Sequence, residues 1–366
     1  MLKELSLKNF TAFSHADFKF CEGLNVIVGE NGTGKTHVLK LGYLVSKIWH
    51  VNVRGKGLIG KEETERYIAE HLLDLFRVEK TGNLARTGSK KPAEVMGKAV
   101  GHIPSVTIRM PGEAPLPPIE DEIEWQFSFS ALSRKTVATD RWPKRLTSNA
   151  YYGESVFLPS KEMLSFFEGF IALYNKRELS FDETFYDLAL ALSSSKLKEK
   201  PELFLSLVEN LENVIGGKIV LDSGRFYTVH KKGKKREITL LAEGLRKIAT
   251  LLQLIENGSL ETGGTLFWDE PETNLNPRLI RLVAHVVHQL VAKGVQVLIA
   301  THSYFLLKEL DLLCRKQAIE QALFSISKEQ GNLIIHQGDR LSNLENIVAL
   351  DEELAQYDRE MELSNG

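Results

Sequence analysis
Apolar positions along this chain alternate with two periods, and the switches between them mark out its elements. Leu5 and Leu7, then Phe18 and Phe20, alternate with polar neighbours, which predicts two strands joined across a turn region at 10–15. Leu24-Asn25-Val26-Ile27-Val28 is short, apolar and β-branched, as a buried strand should be, and residues 37–44 continue as a helix. Tyr67, Ile68, Leu72, Leu73, Leu75 and Phe76 recur at helical spacing within 61–78, and residues 81–92, rich in Gly, Ser and Lys, read as a loop. Period two returns at 106–110 and 123–129 on either side of a Pro/Gly stretch at 111–118, which predicts a hairpin in an antiparallel side sheet.

From 162 to 215 the spacing turns helical, with Met163, Phe166, Phe170 and Tyr174, then Phe185, Leu188 and Leu192, then Leu207 and Leu211. These residues are expected to pack on one another as a helical insertion. Residues 219–221 and 225–229 read as strands around Asp222-Ser223-Gly224, and a helix opens near 240–247. Residues 265–270 and 295–300 are two further buried strands. The most apolar stretch, 282–300, is broken by His285, His288, Gln289, Lys293 and Gln296, so it reads as helix plus strand and not as a membrane span. Residues 341–363 place Leu344, Ile347, Val348, Leu354, Tyr357 and Met361 on an acidic segment expected to pack on the core, with docking of a partner helix as the alternative. No internal repeat is visible, and no heptad run is long enough for an extended coiled coil.

Composition changes this picture little. The apolar share of 43% and charged share of 26% are ordinary for a globular chain, and the net charge of -2 supplies no global field for nucleic acid. Any DNA contact must come from local runs, of which 230–236 (His-Lys-Lys-Gly-Lys-Lys-Arg) is the densest, with Arg134, Lys135, Arg141, Lys144 and Arg145 as a looser group. Such tips would give salt-dependent contacts to DNA phosphates. The two cysteines, Cys21 and Cys314, lie far apart and form no metal spacing. With no apolar run of the secretory kind at the start, a cytoplasmic protein without a membrane segment is expected.

Chemistry enters at residues 29–36, which read G-E-N-G-T-G-K-T, a complete phosphate loop between the strand and the helix. Gly29, Gly32 and Gly34 allow the tight turn. Backbone N–H groups of the loop, including Asn31 and Thr33, can then approach phosphate oxygens, and the helix that follows adds its positive end at Lys35, Thr36 and His37. Lys35 is expected on the β- and γ-phosphates and Thr36 on a magnesium ion, so the ligand is ATP with Mg2+. Thr265-Leu266-Phe267-Trp268-Asp269-Glu270 is a strand ending in two carboxylates. Asp269 is placed to hold the magnesium, and Glu270 to polarise the attacking water. Thr301-His302-Ser303 closes the next strand at the edge where open α/β sheets bind ligands, which puts His302 near the γ-phosphate.

The order of these pieces resembles the ABC-type ATPases of the SMC, RecF and OLD branch, closely over 1–50 and about 235–310 and loosely between. Leu7-Lys8-Asn9-Phe10 and the phosphate-loop run are similar to the RecF/SMC opening. The D-E-P-E-T-N-L-N-P segment after the second strand looks most like the stand-alone AAA-type ATPases of bacterial phage-defence operons, such as OLD-like, Septu and PARIS components. The resemblance implies an α/β P-loop NTPase core of ABC type with an antiparallel side sheet and a helical insertion. The lobes would divide as 1–160, an insertion at 161–216, 217–340 and a final helix at 341–366.

The resemblance also implies a homodimer, or a higher homo-oligomer, with nucleotide between one copy's phosphate loop and the other's signature helix. Ala242-Glu243-Gly244 stands at the signature position, where the family's usual serine is replaced by Ala242, so slow turnover is expected. Asn274-Leu275-Asn276 falls at the dimer-crossing loop. For the family's glutamine loop Gln126 is a poor match, since it lies in a strand, whereas residues 156–162 resemble the corresponding segment of OLD-like ATPases and offer Ser160 and Lys161 as contacts. No TOPRIM-like acidic cluster or HNH-like pair follows His302, so an effector, such as a nuclease, would be separately encoded. Two other readings stay open, a RecF-like DNA-repair ATPase and a scaffold that holds ATP without turnover.

Overall fold
The computed structural model describes residues 1–54, 60–103, 119–143, 153–199, 202–230, 233–329 and 331–365. The strand expected at 106–110, and Lys144, Arg145, Lys231 and Lys232, lie outside the described residues.

A six-stranded sheet organises the molecule. Strands β3 (Leu24–Gly29), β7 (Ser155–Leu158), β11 (Thr265–Asp269), β12 (Gln296–Thr301) and β13 (Gln321–Glu329) run parallel, and β14 (Asn332–Gly338) closes one edge antiparallel, in the order β14-β13-β3-β12-β11-β7. Both faces of the sheet are buried, so its strands are apolar at successive positions and side chains alternate between two cores. Val26, Val28, Leu266, Trp268, Val297 and Ile299 face one core. Ile27, Phe267, Leu298 and Ala300 face the other.

The first core is filled by α3 (Phe170–Asn175), α4 (Glu183–Ser193), α5 (Leu205–Ile215), α6 (Glu243–Glu256), α7 (Pro277–Ala292) and α8 (Tyr304–Gln317). The helices of 162–215 thus bury Phe170, Leu188, Leu192 and Leu211 in the same core as Leu266 and Trp268. The second core holds α1 (Lys35–Arg54) and α2 (Lys61–Phe76), pressed beneath an antiparallel sheet of β1 (Leu2–Phe10), β2 (Phe13–Lys19), β4 (Ala93–Ile103), β5 (Ile119–Phe129) and β6 (Ala138–Arg141) in the order β2-β1-β4-β5-β6. A third sheet comprises β8 (Lys218–Asp222), β9 (Arg225–Val229) and β10 (Lys235–Glu237).

The side sheet differs from expectation in two places. The turn between β1 and β2 is only Thr11-Ala12, with Thr11 at φ 44°, so His15 already lies in the second strand. Residues 123–129 pair with β4, with Trp125 opposite Gly97. A side chain at Gly97 would come within 2.3 Å of the Glu4 carbonyl and 2.4 Å of the Trp125 ring, so the strand needs glycine at its centre. The final helix, α9 (Val348–Asn365), also departs from the expected packing. Leu344 and Ile347 are buried and Leu350 is packed on the core, but Leu354, Tyr357 and Met361 are 55%, 58% and 44% exposed.

Polar contacts fasten these layers. Buried Gln296, at the start of β12, accepts from the Leu2 N–H at 2.8 Å and donates to the carbonyls of Leu2 and Cys21 at 2.7 and 2.8 Å, joining the two large sheets. On α1, Lys40 pairs with Asp182 at 2.8 Å, and Lys47 pairs with Glu183 at 2.7 Å and Asp187 at 2.6 Å, so the helix behind the phosphate loop is clamped to the start of α4.

Candidate active site
The carboxyl ends of β3, β12 and β11 lie side by side, with Val28 in register with Thr301 and Ala300 with Asp269. Each strand therefore delivers its next residues to one edge. Beyond β3 the chain turns through Gly34, which holds φ +87°, and any side chain there would meet the Phe13 ring at 2.7 Å. That turn points the start of α1 at the edge. Thr36 Oγ1 donates to the Asp269 carboxylate, 3.0 Å from each oxygen. Lys35 Nζ lies back across the loop and donates to the carbonyls of Gly29 and Glu30, both at 2.8 Å.

Burial sets the electrostatics. It pushes the Asp269 carboxyl up to about 6, against the pull of the Thr36 hydrogen bond. It lowers the Lys35 ammonium from its ordinary value, and the charges of Glu270 and Asp269 offset only part of this. A hydroxyl and a buried carboxylate in contact, lacking enough positive charge to hold that carboxylate ionised in its usual range, fit a magnesium ion. Among the described residues no cluster of three or more His, Cys, Asp or Glu could hold a metal by itself. A magnesium ion takes one or two protein oxygens and completes its shell with phosphate and water.

Glu270 directly follows β11 with φ 45°, and its N–H donates to the Ala300 carbonyl at 2.8 Å. Its carboxylate lies 3.6 Å from His302 Nδ1. The structure thus brings Lys35, Thr36, Asp269, Glu270 and His302 together. Gly29, Asn31 and His302 border a cavity of about 240 Å³ whose far wall is Asn346, Val348 and Glu352 at the start of α9. Thr33 is occupied within the loop, donating to the Glu30 carbonyl at 2.8 Å. His37 is placed differently from a phosphate ligand. Its ring meets Thr11 Oγ1 at 3.0 Å and packs edge-on to Phe76, and burial lowers its pKa to about 4, so the side chain is neutral and structural.

The signature segment lies to one side. Ala242 is the N-cap of α6 and makes no side-chain cap hydrogen bond. Asn274 Nδ2 donates to Glu243 Oε1 at 2.8 Å, and Gly244 faces Leu275 so closely that a Cβ would come within 2.6 Å of it. Among the described residues no hydrogen bond or ion pair joins 242–244 to the phosphate loop of the same chain. Ser160 and Lys161 follow β7 at the same sheet edge, beside Glu162, which accepts from Arg246 Nε at 2.8 Å.

Sequence reasoning missed two residues. Glu272 is buried, and its Oε1 accepts from Thr301 Oγ1 at 2.6 Å and the His302 N–H at 3.1 Å, while lying 3.4 Å from His302 Nδ1. Its sequence signal was the last carboxylate of D-E-P-E. Lys247, buried on α6, donates to the Thr273 carbonyl at 2.8 Å and ties the signature helix to the turn after Glu270. A lone lysine on an apolar helix face is its only mark in sequence.

Strand, glycine loop and helix, with Thr36 against an aspartate two strands away and a glutamate and histidine beyond it, have the arrangement of a P-loop nucleotide-binding site. The model of the family described as "AAA domain, putative AbiEii toxin, Type IV TA system" matches residues 24–308, and the chain belongs to this family. A model described as an AAA domain matches residues 4–40. The chain is 35% identical over 69 residues to the DNA replication and repair protein RecF of two Clostridium botulinum strains, a match that spans 19% of this chain and 19% of each relative. Among solved structures it is similar to an SMC head bound to the C-winged helix domain of ScpA, with 14% identity, 93% of this chain and 98% of that one covered, and a TM-score of 0.53. It is also similar to the Smc head domain with an extended coiled coil bound to the C-terminal domain of ScpA, derived from Pyrococcus furiosus, with 12% identity, 98% and 99% covered, and a TM-score of 0.51. Among the described residues no helix is long and apolar enough to cross a membrane.

Proposed function
We propose that this chain binds ATP with magnesium, closes on a second copy of itself, hydrolyses the nucleotide slowly, and uses the cycle to hold and release a separately encoded effector in anti-phage defence in the cytoplasm. The observation that carries the ATPase reading is the contact between Thr36 and Asp269 with Glu270 and His302 beside it. Lys35 exchanges the carbonyls of Gly29 and Glu30 for β- and γ-phosphate oxygens, a stronger charge-assisted pairing. Magnesium, held by Thr36 and Asp269, would neutralise charge on the β- and γ-oxygens. Glu270 orients and polarises the attacking water, and His302, fixed by Glu272, donates to the γ-phosphate.

In the proposed dimer a second copy's α6 covers the triphosphate. Ala242 leaves that cover without a hydroxyl, which supports slow turnover. The family description, which names a toxin of a toxin–antitoxin system, and the SMC heads solved with a ScpA domain support a chain that works through a partner.

Sedimentation and turnover test the reading together. ATP with magnesium is expected to convert monomer to dimer, Glu270→Gln to trap the dimer with turnover lowered at least about 100-fold, and Lys35→Ala to abolish nucleotide binding. A wild-type chain that stays monomeric and unliganded at millimolar ATP would overturn it. The RecF match favours a second reading, DNA repair, with the basic run at 230–236 as the DNA contact. There, Lys235 is paired with Asp222 and Arg236 is exposed. ATPase activity stimulated by DNA, without any effect on phage plating, would select that reading.

A further inference from the structure
The last helix carries a surface that the ATP site does not use. From Ile347, just before α9, the apolar positions Leu350, Leu354, Tyr357 and Met361 follow at intervals of three, four, three and four residues, the spacing of a coiled-coil seam. The first two are seated on the core, and the last three continue the same stripe into solvent. The root is firmly placed. Ser325 Oγ donates to the Glu345 carbonyl, and Asn346 Nδ2 donates to Glu329 at 3.0 Å. The exposed part, from 351 on, runs for roughly 22 Å at helical rise.

The residues that flank the seam are Asp351, Glu353, Asp358 and Glu360, all acidic. This charge pattern selects the occupant. A second copy of α9, packed parallel, would set Glu353 against the partner's Asp358. Packed antiparallel, it would set like carboxylates against each other. Both are repulsive at the positions that decide coiled-coil pairing. An anionic lipid surface is repelled for the same reason. We infer that the stripe of α9 docks an amphipathic helix of another protein, one with an apolar seam flanked by lysine or arginine. The ATPase reading is not needed for this inference, because both the seam and its charges belong to α9 alone.

The test uses two synthetic helical peptides with leucine at the seam, one with lysine and one with glutamate at the flanking positions, titrated against the full chain by fluorescence anisotropy. The lysine peptide is expected to bind at least tenfold more tightly than the glutamate peptide, and its affinity to fall as salt is raised. Leu354→Asp combined with Met361→Asp is expected to remove that binding while leaving the melting temperature and ATP binding of the chain unchanged, since both side chains are exposed. Equal affinity for the two peptides, or no binding of the lysine peptide, overturns the inference. So does self-association of the nucleotide-free chain that the double variant abolishes, because the occupant would then be a second copy.

Discussion

At the scale of single residues, Glu272 and Asp269 set the working geometry. Glu272 holds the histidine strand end by taking the Thr301 hydroxyl and the His302 N–H on one oxygen. Glu272→Ala leaves the buried Thr301 hydroxyl and the part-buried His302 N–H without their acceptor, which costs about 1–3 kcal/mol in urea unfolding. Turnover is expected to drop about tenfold or more with little change in ATP affinity, and Glu272→Gln to restore part of both. A fall in ATP affinity alone would assign Glu272 to binding instead. Asp269 gives a pH signature in the metal-free chain. Its folded pKa, about 6, lies above the ordinary 3.8, so the folded state takes up a proton before the unfolded chain does. The charged carboxylate is therefore a cost above pH 6 that disappears as pH falls toward 4. Relative to Asp269→Asn in EDTA, the wild type is expected to be about 3 kcal/mol less stable at pH 7 and equal to it near pH 4. Parallel unfolding curves across that window would refute this.

At the scale of elements, α6 starts poorly. Its N-cap is alanine, so its first N–H groups lack the side-chain acceptor that Asn276 supplies to α7 and Ser303 to α8. Ala242→Ser is expected to raise stability by about 1 kcal/mol through capping. It is also expected to speed ATP turnover through the added hydroxyl, and an unchanged rate would show that the missing serine does not limit hydrolysis. The strands and helices of the site were legible because both faces of the central sheet are buried, so Val26 to Val28 and Leu266 to Trp268 stand out as short apolar runs. Strand β4 was not legible. Gly97 and Gly101 dilute its pattern, and the reason for glycine at 97 is the Trp125 ring on another strand, which no local window contains. The role of Glu272 was hidden for a similar reason, since its partners lie about 30 residues further along. The end of α9 was misread because its stripe is continuous in sequence whether or not a core lies beneath it.

At the scale of the whole molecule, the two large sheets share α1 between them, and Lys40 and Lys47 tie that helix to α4. The phosphate-loop helix and the helical region at 161–216 are thus held to one another by ion pairs. The cavity beside His302 reaches the root of α9. A second route runs along β12. Gln296 grips the backbone of Leu2 and Cys21 at one end of that strand, and His302 follows directly on the other, roughly 20 Å away at extended rise. A rod this short, with hydrogen-bonded neighbours on both sides, transmits displacement without stretching. The grip on the amino-terminal backbone and the candidate histidine thus sit at opposite ends of one strand, so the first strand and the nucleotide edge share a single rigid element.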